Sequence, residues 1–145
     1  MIEQLISFKT AKLAKEKGFD WKCRGRIHCS HYHLVKDNII PINVGTNNNE
    51  IFAPFKNHNK HFENGTQTYT SLPTQSLLQK WLREVHNIHF EIKPIFDVPD
   101  NLKPYHISIL KNPSGKGFEF KIVGTFDTYE ETLEIGLQKA LKLIK

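Results

Sequence analysis

Apolar residues recur at three- and four-residue spacing through Leu77, Leu78, Trp81, Leu82 and Val85, directly after Pro73 and Thr74. Proline presets a helical φ and threonine offers a capping hydroxyl, so the Pro73–Glu84 stretch predicts a helix with one apolar face. The period then falls to two at His89-Phe90-Glu91-Ile92-Lys93, which predicts a strand over His89–Phe96. A connection through Val98, Pro99 and Pro104 leads to a second strand at Tyr105–Leu110. Asn112-Pro113-Ser114-Gly115-Lys116-Gly117 has the chemistry of a turn, and Phe118–Phe126 returns as a third strand of an antiparallel meander. Asp127-Thr128-Tyr129-Glu130 resembles a capping box, after which Leu133, Leu137, Ala140, Leu141 and Ile144 line one side of a final helix. Acidic residues near its start (Glu130, Glu131, Glu134) and lysines near its end (Lys139, Lys142, Lys145) suit the helix dipole.

The first half is patterned more weakly. Ser7 is placed to cap a helix over Phe8–Lys17, with Ala11, Leu13 and Ala14 as its apolar side and Gly18 as its stop, after which Phe19 and Trp21 fold back onto the core. From Trp21 to Leu34 the composition leans toward β structure with poor alternation, which predicts one or two short strands, and Ile39–Val44 predicts another. Gly45–Ser71 gathers Asn47, Asn48, Asn49, Asn57, Asn59 and Asn64 and reads as a long polar loop, tethered to the body by Phe52, Phe55, Phe62 and Tyr69. The expected fold class is α+β. A single domain over 1–145 holds an N-terminal helix, a short β region, the Asn-rich loop at 45–71 and an α-β-β-β-α unit at 73–145.

Composition narrows the picture. With 145 residues, 39% hydrophobic and 24% charged, the chain can bury a core without disulfides or a structural metal, and it lacks the apolar run that a spanning helix requires. Glu3, Gln4 and Lys9 interrupt the start of the chain, unlike a secretory signal, so a cytoplasmic location without membrane contact is expected, and Asn64-Gly65-Thr66 then has no consequence as a glycosylation acceptor. Cys23 and Cys29 are too close in sequence to define a disulfide scaffold. The formal charge of +5 favours an anionic partner, and Lys9, Lys12, Lys15, Lys17, Lys22, Arg24, Arg26 and Lys36 crowd the first third. A lysine-rich helix is also a common solvated face.

Three chemistries compete for these residues. Cys23, His28, Cys29, His31 and His33 include zinc-type ligands, but same-face strand neighbours stand about 7 Å apart and do not converge on one ion. The plainer alternative is a core cysteine beside surface histidines, with His58 and His61 exposed in the loop; no metal or cofactor is expected. A histidine phosphodiesterase needs two histidines each followed by a hydroxyl two residues on; His106-Ile107-Ser108 supplies one, and His89-Phe90-Glu91 fails to supply the second. Binding fits with fewer conflicts. Lys22, Arg24 and Arg26 alternate along an expected strand, with His28, Tyr32 and His33 nearby to stack or hydrogen-bond, a mixture suited to a phosphate carrying a base. Lys80 and Arg83 lie off the apolar face of the central helix and extend the list of candidate cations. The same charges would also serve to guard an edge strand from aggregation.

Leu5–Asp20, the PTQSLLQKWLREVHNIH stretch at Pro73–His89 and the YEETLEIGLQKALKLI tail at Tyr129–Ile144 resemble a family of small uncharacterised phage and prophage proteins. That resemblance implies a phage-encoded accessory protein and carries no catalytic residue with it. The order of elements over Thr74–Lys145 also resembles a double-stranded-RNA-binding domain in topology. Where such domains grip phosphates with lysines, this chain has Thr128-Tyr129-Glu130-Glu131-Thr132, whose carboxylates repel them, which argues against duplex RNA. The expectation is therefore a non-enzymatic protein that sequesters an anionic small molecule, a nucleotide-type host defence signal. An acidic host protein as partner and a phosphodiesterase are the alternatives, and a homo-oligomer could build the pocket between subunits.

Overall fold

The computed structural model describes residues 4–28, 32–35, 38–41, 55–60, 62–63, 66–67, 69–96, 99, 103–112 and 119–145. The chain is α+β, with the expected order of an N-terminal helix and short strands followed by helix, three antiparallel strands and helix. Its contacts divide it into two compact units, residues 1–74 and 75–145.

In the first unit, helix α1 spans Phe8–Glu16. The Ser7 hydroxyl accepts from the Thr10 amide at 3.2 Å, satisfying a donor that the helix itself leaves open. Gly18, at φ +86°, takes the left-handed turn that ends the helix, and the Phe19 amide then bonds back to the Ala14 carbonyl. Phe19 is buried with Ile6, Phe8, Ala11 and Ala14, as the periodicity requires, whereas Trp21 is only half-buried. The strands are short: β1 (Arg26–His28), β2 (Tyr32–Val35), β3 (Asn38–Pro41), β4 (Phe62–Glu63), β5 (Thr66–Gln67) and β6 (Tyr69–Ser71). They form three antiparallel pairs, β1 with β6, β2 with β3 and β4 with β5.

The segment expected to be a polar loop over 45–71 thus contains, among its described residues, a helical turn at His58–Lys60 and three strands. Phe55 does not tether it, being exposed. Polar side chains do. The Asn59 amide donates to the Phe19 carbonyl at 2.9 Å and accepts from the Ser71 amide at 2.8 Å, and the Asn57 carboxamide accepts from the Asn59 backbone. His58, expected to be exposed, is fully buried: its Nε2–H donates to the Cys23 carbonyl at 3.1 Å and its backbone N–H to the Ser71 hydroxyl at 3.0 Å. Each bond supplies a partner for backbone that short strands leave unsatisfied. Of the predicted strand Ile39–Val44, the part at 42–44 lies outside the described residues.

The second unit starts with α2 (Gln75–His86) and continues with β7 (Ile88–Pro94), β8 (Tyr105–Lys111), β9 (Glu119–Phe126) and α3 (Tyr129–Leu141). The sheet order is β7-β8-β9 with antiparallel pairing throughout. Both helices pack on the sheet and on each other, burying Leu78, Trp81 and Leu82 from α2, Leu133, Leu137, Ala140 and Leu141 from α3, and Ile88, Ile107 and Ile109 from the strands. Gly136 lets α3 approach, since a Cβ there would strike Ile107 and crowd Phe90. At their starts the helices are joined by Gln75, whose amide donates to the Glu130 carbonyl and the Glu134 carboxylate, both at 3.1 Å.

Several local expectations shift. Val85 is exposed, because α2 turns it away from the sheet at its last turn. Strand β7 ends at Pro94, which cannot donate to a ladder, so Phe96 lies beyond it and is exposed. The cap of α3 is Thr128, which accepts from the Glu131 amide at 3.1 Å, one residue later than the Asp127–Glu130 frame. In β9, Ile107 faces Gly124 and Ser108 faces Ile122, so Val123 is an extra, unopposed residue: a β-bulge. Asn87 and Asn112, both near φ +54°, turn the chain side by side at one end of the β7–β8 pair, where the Asn112 amide donates to the Asn87 carbonyl at 2.9 Å. The turn predicted at Asn112–Gly117 lies outside the described residues from 113 onward.

Candidate functional site

The basic segment is held between two neighbours. Cys23 exchanges two backbone hydrogen bonds with Lys56, at 3.1 and 3.3 Å, and the Gly25 carbonyl accepts from the Leu72 amide at 2.8 Å. The approach of Leu72 is so close that a Cβ on Gly25 would run into its carbonyl oxygen. Burial alternates along this segment although the chain bends at Arg24. Cys23, Gly25 and Ile27 are buried, Lys22 and Arg24 are exposed, and Arg26 is half-buried. The three cations therefore occupy alternate positions, Lys22 and Arg24 on the surface and Arg26 partly covered at the start of β1. Lys22 and Arg24 have no ion-pair partner among the described residues.

Arg26 is opposite Ser71 in the β1–β6 pair, and His28 is opposite Tyr69. The Arg26 guanidinium lies over the Tyr69 ring, Cζ standing 4.0 Å from the ring centroid, a contact worth about 0.5–1 kcal/mol at an accessible site. Its Nε is buried and finds no acceptor among the described residues. Tyr69 is the functional candidate that sequence reasoning left in the loop. The signal for it was the run Tyr69-Thr70-Ser71, an aromatic and a β-branched residue just ahead of Pro73. Lys15 is directed elsewhere: its ammonium is 3.5 Å from the Thr70 hydroxyl, and Thr70 pairs with Ile27 on the other side from Arg26.

The remaining predicted residues are spread out. Tyr32 and His33 pair with Pro41 and Ile40 in a separate two-stranded sheet. Lys80 and Arg83 are exposed on α2 of the second unit, where Lys80 stands 3.8 Å from Glu84 one helical turn on. Of the metal-type residues, Cys29 and His31 lie outside the described residues, as does His61. The Cys23 thiol is buried and donates to the Gly25 carbonyl at 3.2 Å. Burial pushes its pKa up, outweighing hydrogen bonds from Ser71 and from the Leu72 and Gly25 backbone. Among the described residues no group of three His, Cys, Asp or Glu is gathered around one point. On β8, His106 is half-buried while the Ser108 hydroxyl is buried.

No family model matches the chain, and neither a curated protein nor a solved structure matches it. No helix among the described residues is long and apolar enough to cross a membrane. The chemistry available at the site lies in its own side chains: cations at alternate positions, one of them over a ring, along a bent segment pinned by backbone bonds to Lys56 and Leu72.

Proposed function

We propose that this chain binds a nucleotide-type anion along Lys22, Arg24 and Arg26 and returns it chemically unchanged. The observation that carries this reading is the run of cations at alternate positions with Arg26 seated on Tyr69: Lys22 and Arg24 are exposed without ion-pair partners among the described residues, and each offers a phosphate a charge-assisted donor. The first unit reinforces it with ten Lys and Arg against six Asp and Glu, a formal +4, while the second has ten against nine, a formal +1. A focused positive field raises the encounter rate with anions.

Sequestration without turnover agrees with the state of the reactive groups. The Cys23 thiol is held protonated in the interior, and Ser108, the hydroxyl that would accompany His106 in a phosphodiesterase, is buried. The resemblance to small phage and prophage proteins makes a host defence signal a fitting ligand class, with the host cytoplasm as its setting. At the start of α3, Glu130 and Glu131 are exposed, which opposes a duplex-RNA grip there.

The test is a thermal-stability screen with nucleotides and cyclic dinucleotides, followed by recovery of the ligand from denatured protein. Ligand at 100 times its Kd should stabilise by about 2.7 kcal/mol. Recovery of intact ligand supports the proposal. A chemically altered ligand points to the phosphodiesterase, and no shift with any anion removes the proposal.

A further inference from the structure

We infer that the Arg26–Tyr69 stack is a platform for an aromatic base, so that the basic strand takes a nucleoside phosphate in preference to phosphate or a sugar phosphate. This rests on the anion-binding reading above and assigns its two halves to different residues. The Arg26 guanidinium carbon stands 4.0 Å from the Tyr69 ring centroid, and guanidinium planes stack nucleobases as aromatic rings do. Tyr69 thus acts as a positioning residue, holding Arg26 in a plane that a solvated arginine would leave at random.

Arg26 is also poorly served as a purely structural cation. Its Nε is buried without an acceptor among the described residues, so the stack on Tyr69 is what holds it. Arg24 lies two residues back, exposed at a bend of the chain, and supplies a cation for the phosphate of a ligand whose base meets Arg26. Arg26 with Tyr69 then reads the base, while Arg24 and Lys22 hold the phosphate.

Calorimetric titration with adenosine monophosphate, ribose 5-phosphate and inorganic phosphate tests the assignment. The base should tighten binding about tenfold over ribose 5-phosphate, within the usual worth of one stacked base. Tyr69→Phe should keep that gain, and Tyr69→Leu should abolish it without changing the affinity for ribose 5-phosphate. Arg26→Lys, which keeps the charge and loses the plane, should also abolish the gain, and it decides the matter if Tyr69→Leu fails to fold. Equal affinity for adenosine monophosphate and ribose 5-phosphate in the unaltered protein overturns the platform and leaves anion binding standing. Binding of none of the three overturns both.

Discussion

The two units of this chain differ in net charge and in how far polar side chains join their interiors. In the second, four of the ten Lys and Arg side chains are matched: Lys93 with Glu91 at 2.9 Å, Lys103 with Asp127 at 3.1 Å, Lys80 with Glu84 at 3.8 Å, and the Lys111 ammonium on the Leu143 carbonyl at 3.1 Å. Its interior is chiefly aliphatic and aromatic, with Gln75, Ser108 and Thr132 buried among these groups. In the first, Lys22 and Arg24 stand unmatched among the described residues, and the interior is joined by His58, Asn59 and Ser71. The second unit is close to neutral and held chiefly by hydrocarbon, while the first carries a surplus of cations and joins its interior through polar side chains, the arrangement that the proposed anion binding calls for.

The sharpest way to break this contrast is to damage each interior. Trp81 is buried at the junction of α2 with the sheet, and Trp81→Ala should destabilise the protein by about 3–5 kcal/mol in urea unfolding. Where the protein remains folded, its nucleotide affinity should stay within twofold of the original. Asn59→Ala comes next. It removes both partners of the Phe19 carbonyl and Ser71 amide contacts and should cost about 2–3 kcal/mol by the same measurement. A loss below about 0.5 kcal/mol would show that these bonds do not hold the first unit together.

Surface charge sharpens the contrast with smaller effects. Arg24→Ala combined with Arg26→Ala should weaken nucleotide binding by about tenfold or more in calorimetry while leaving the melting temperature close to that of the parent, since each charge-assisted bond contributes about 1.5–3 kcal/mol. Lys80→Ala with Arg83→Ala should leave affinity unchanged. Equal losses from the two pairs would end the division of labour.

The smallest effect is a pH dependence that belongs to the second unit. His86 packs edge-on against Trp81, its ring centroid 4.5 Å away, and its Nε2 is buried without a hydrogen-bond partner among the described residues. Burial, aided by the nearby Lys111 ammonium, lowers its pKa from 6.5. The end of α2 pulls the other way by about 0.3–1 kcal/mol, and the desolvated ring beside a like charge outweighs it. The folded protein then resists protonation that the unfolded chain accepts. Stability from this group is complete above pH 6.5 and is lost as the pH falls through the lowered value. Urea unfolding between pH 7.5 and 5 should show that decline, and His86→Gln should flatten it.

The sequence made the second unit legible because its elements are long enough to show a period. Leu78, Trp81 and Leu82 repeat at helical spacing, so their face could be assigned before any contact was known, whereas the alternation at Tyr105–Leu110 identified a strand but not that Ile107, Ser108 and Ile109 are all buried. Its misplacements, at Val85, Phe96 and the frame of the α3 cap, all fall at element ends, where one hydrogen bond decides the boundary. The first unit was harder because strands of two to four residues carry no measurable period, and Asn59 looks the same in sequence whether it wires a core or faces water. Lys22, Arg24 and Arg26 were legible as an alternation. Tyr69 was not, since its partnership with Arg26 depends on β1 and β6 pairing across more than forty residues of chain.

Val123, the unopposed residue of β9, has a further consequence. The outermost strand carries Phe120 and Ile122 with half or more of each accessible, the texture from which fibres start when a neighbouring molecule adds its own strand. A kink in mid-strand spoils the regular ladder that such growth needs. Deleting Val123 should straighten this margin of the sheet and raise the tendency to aggregate, which light scattering would read.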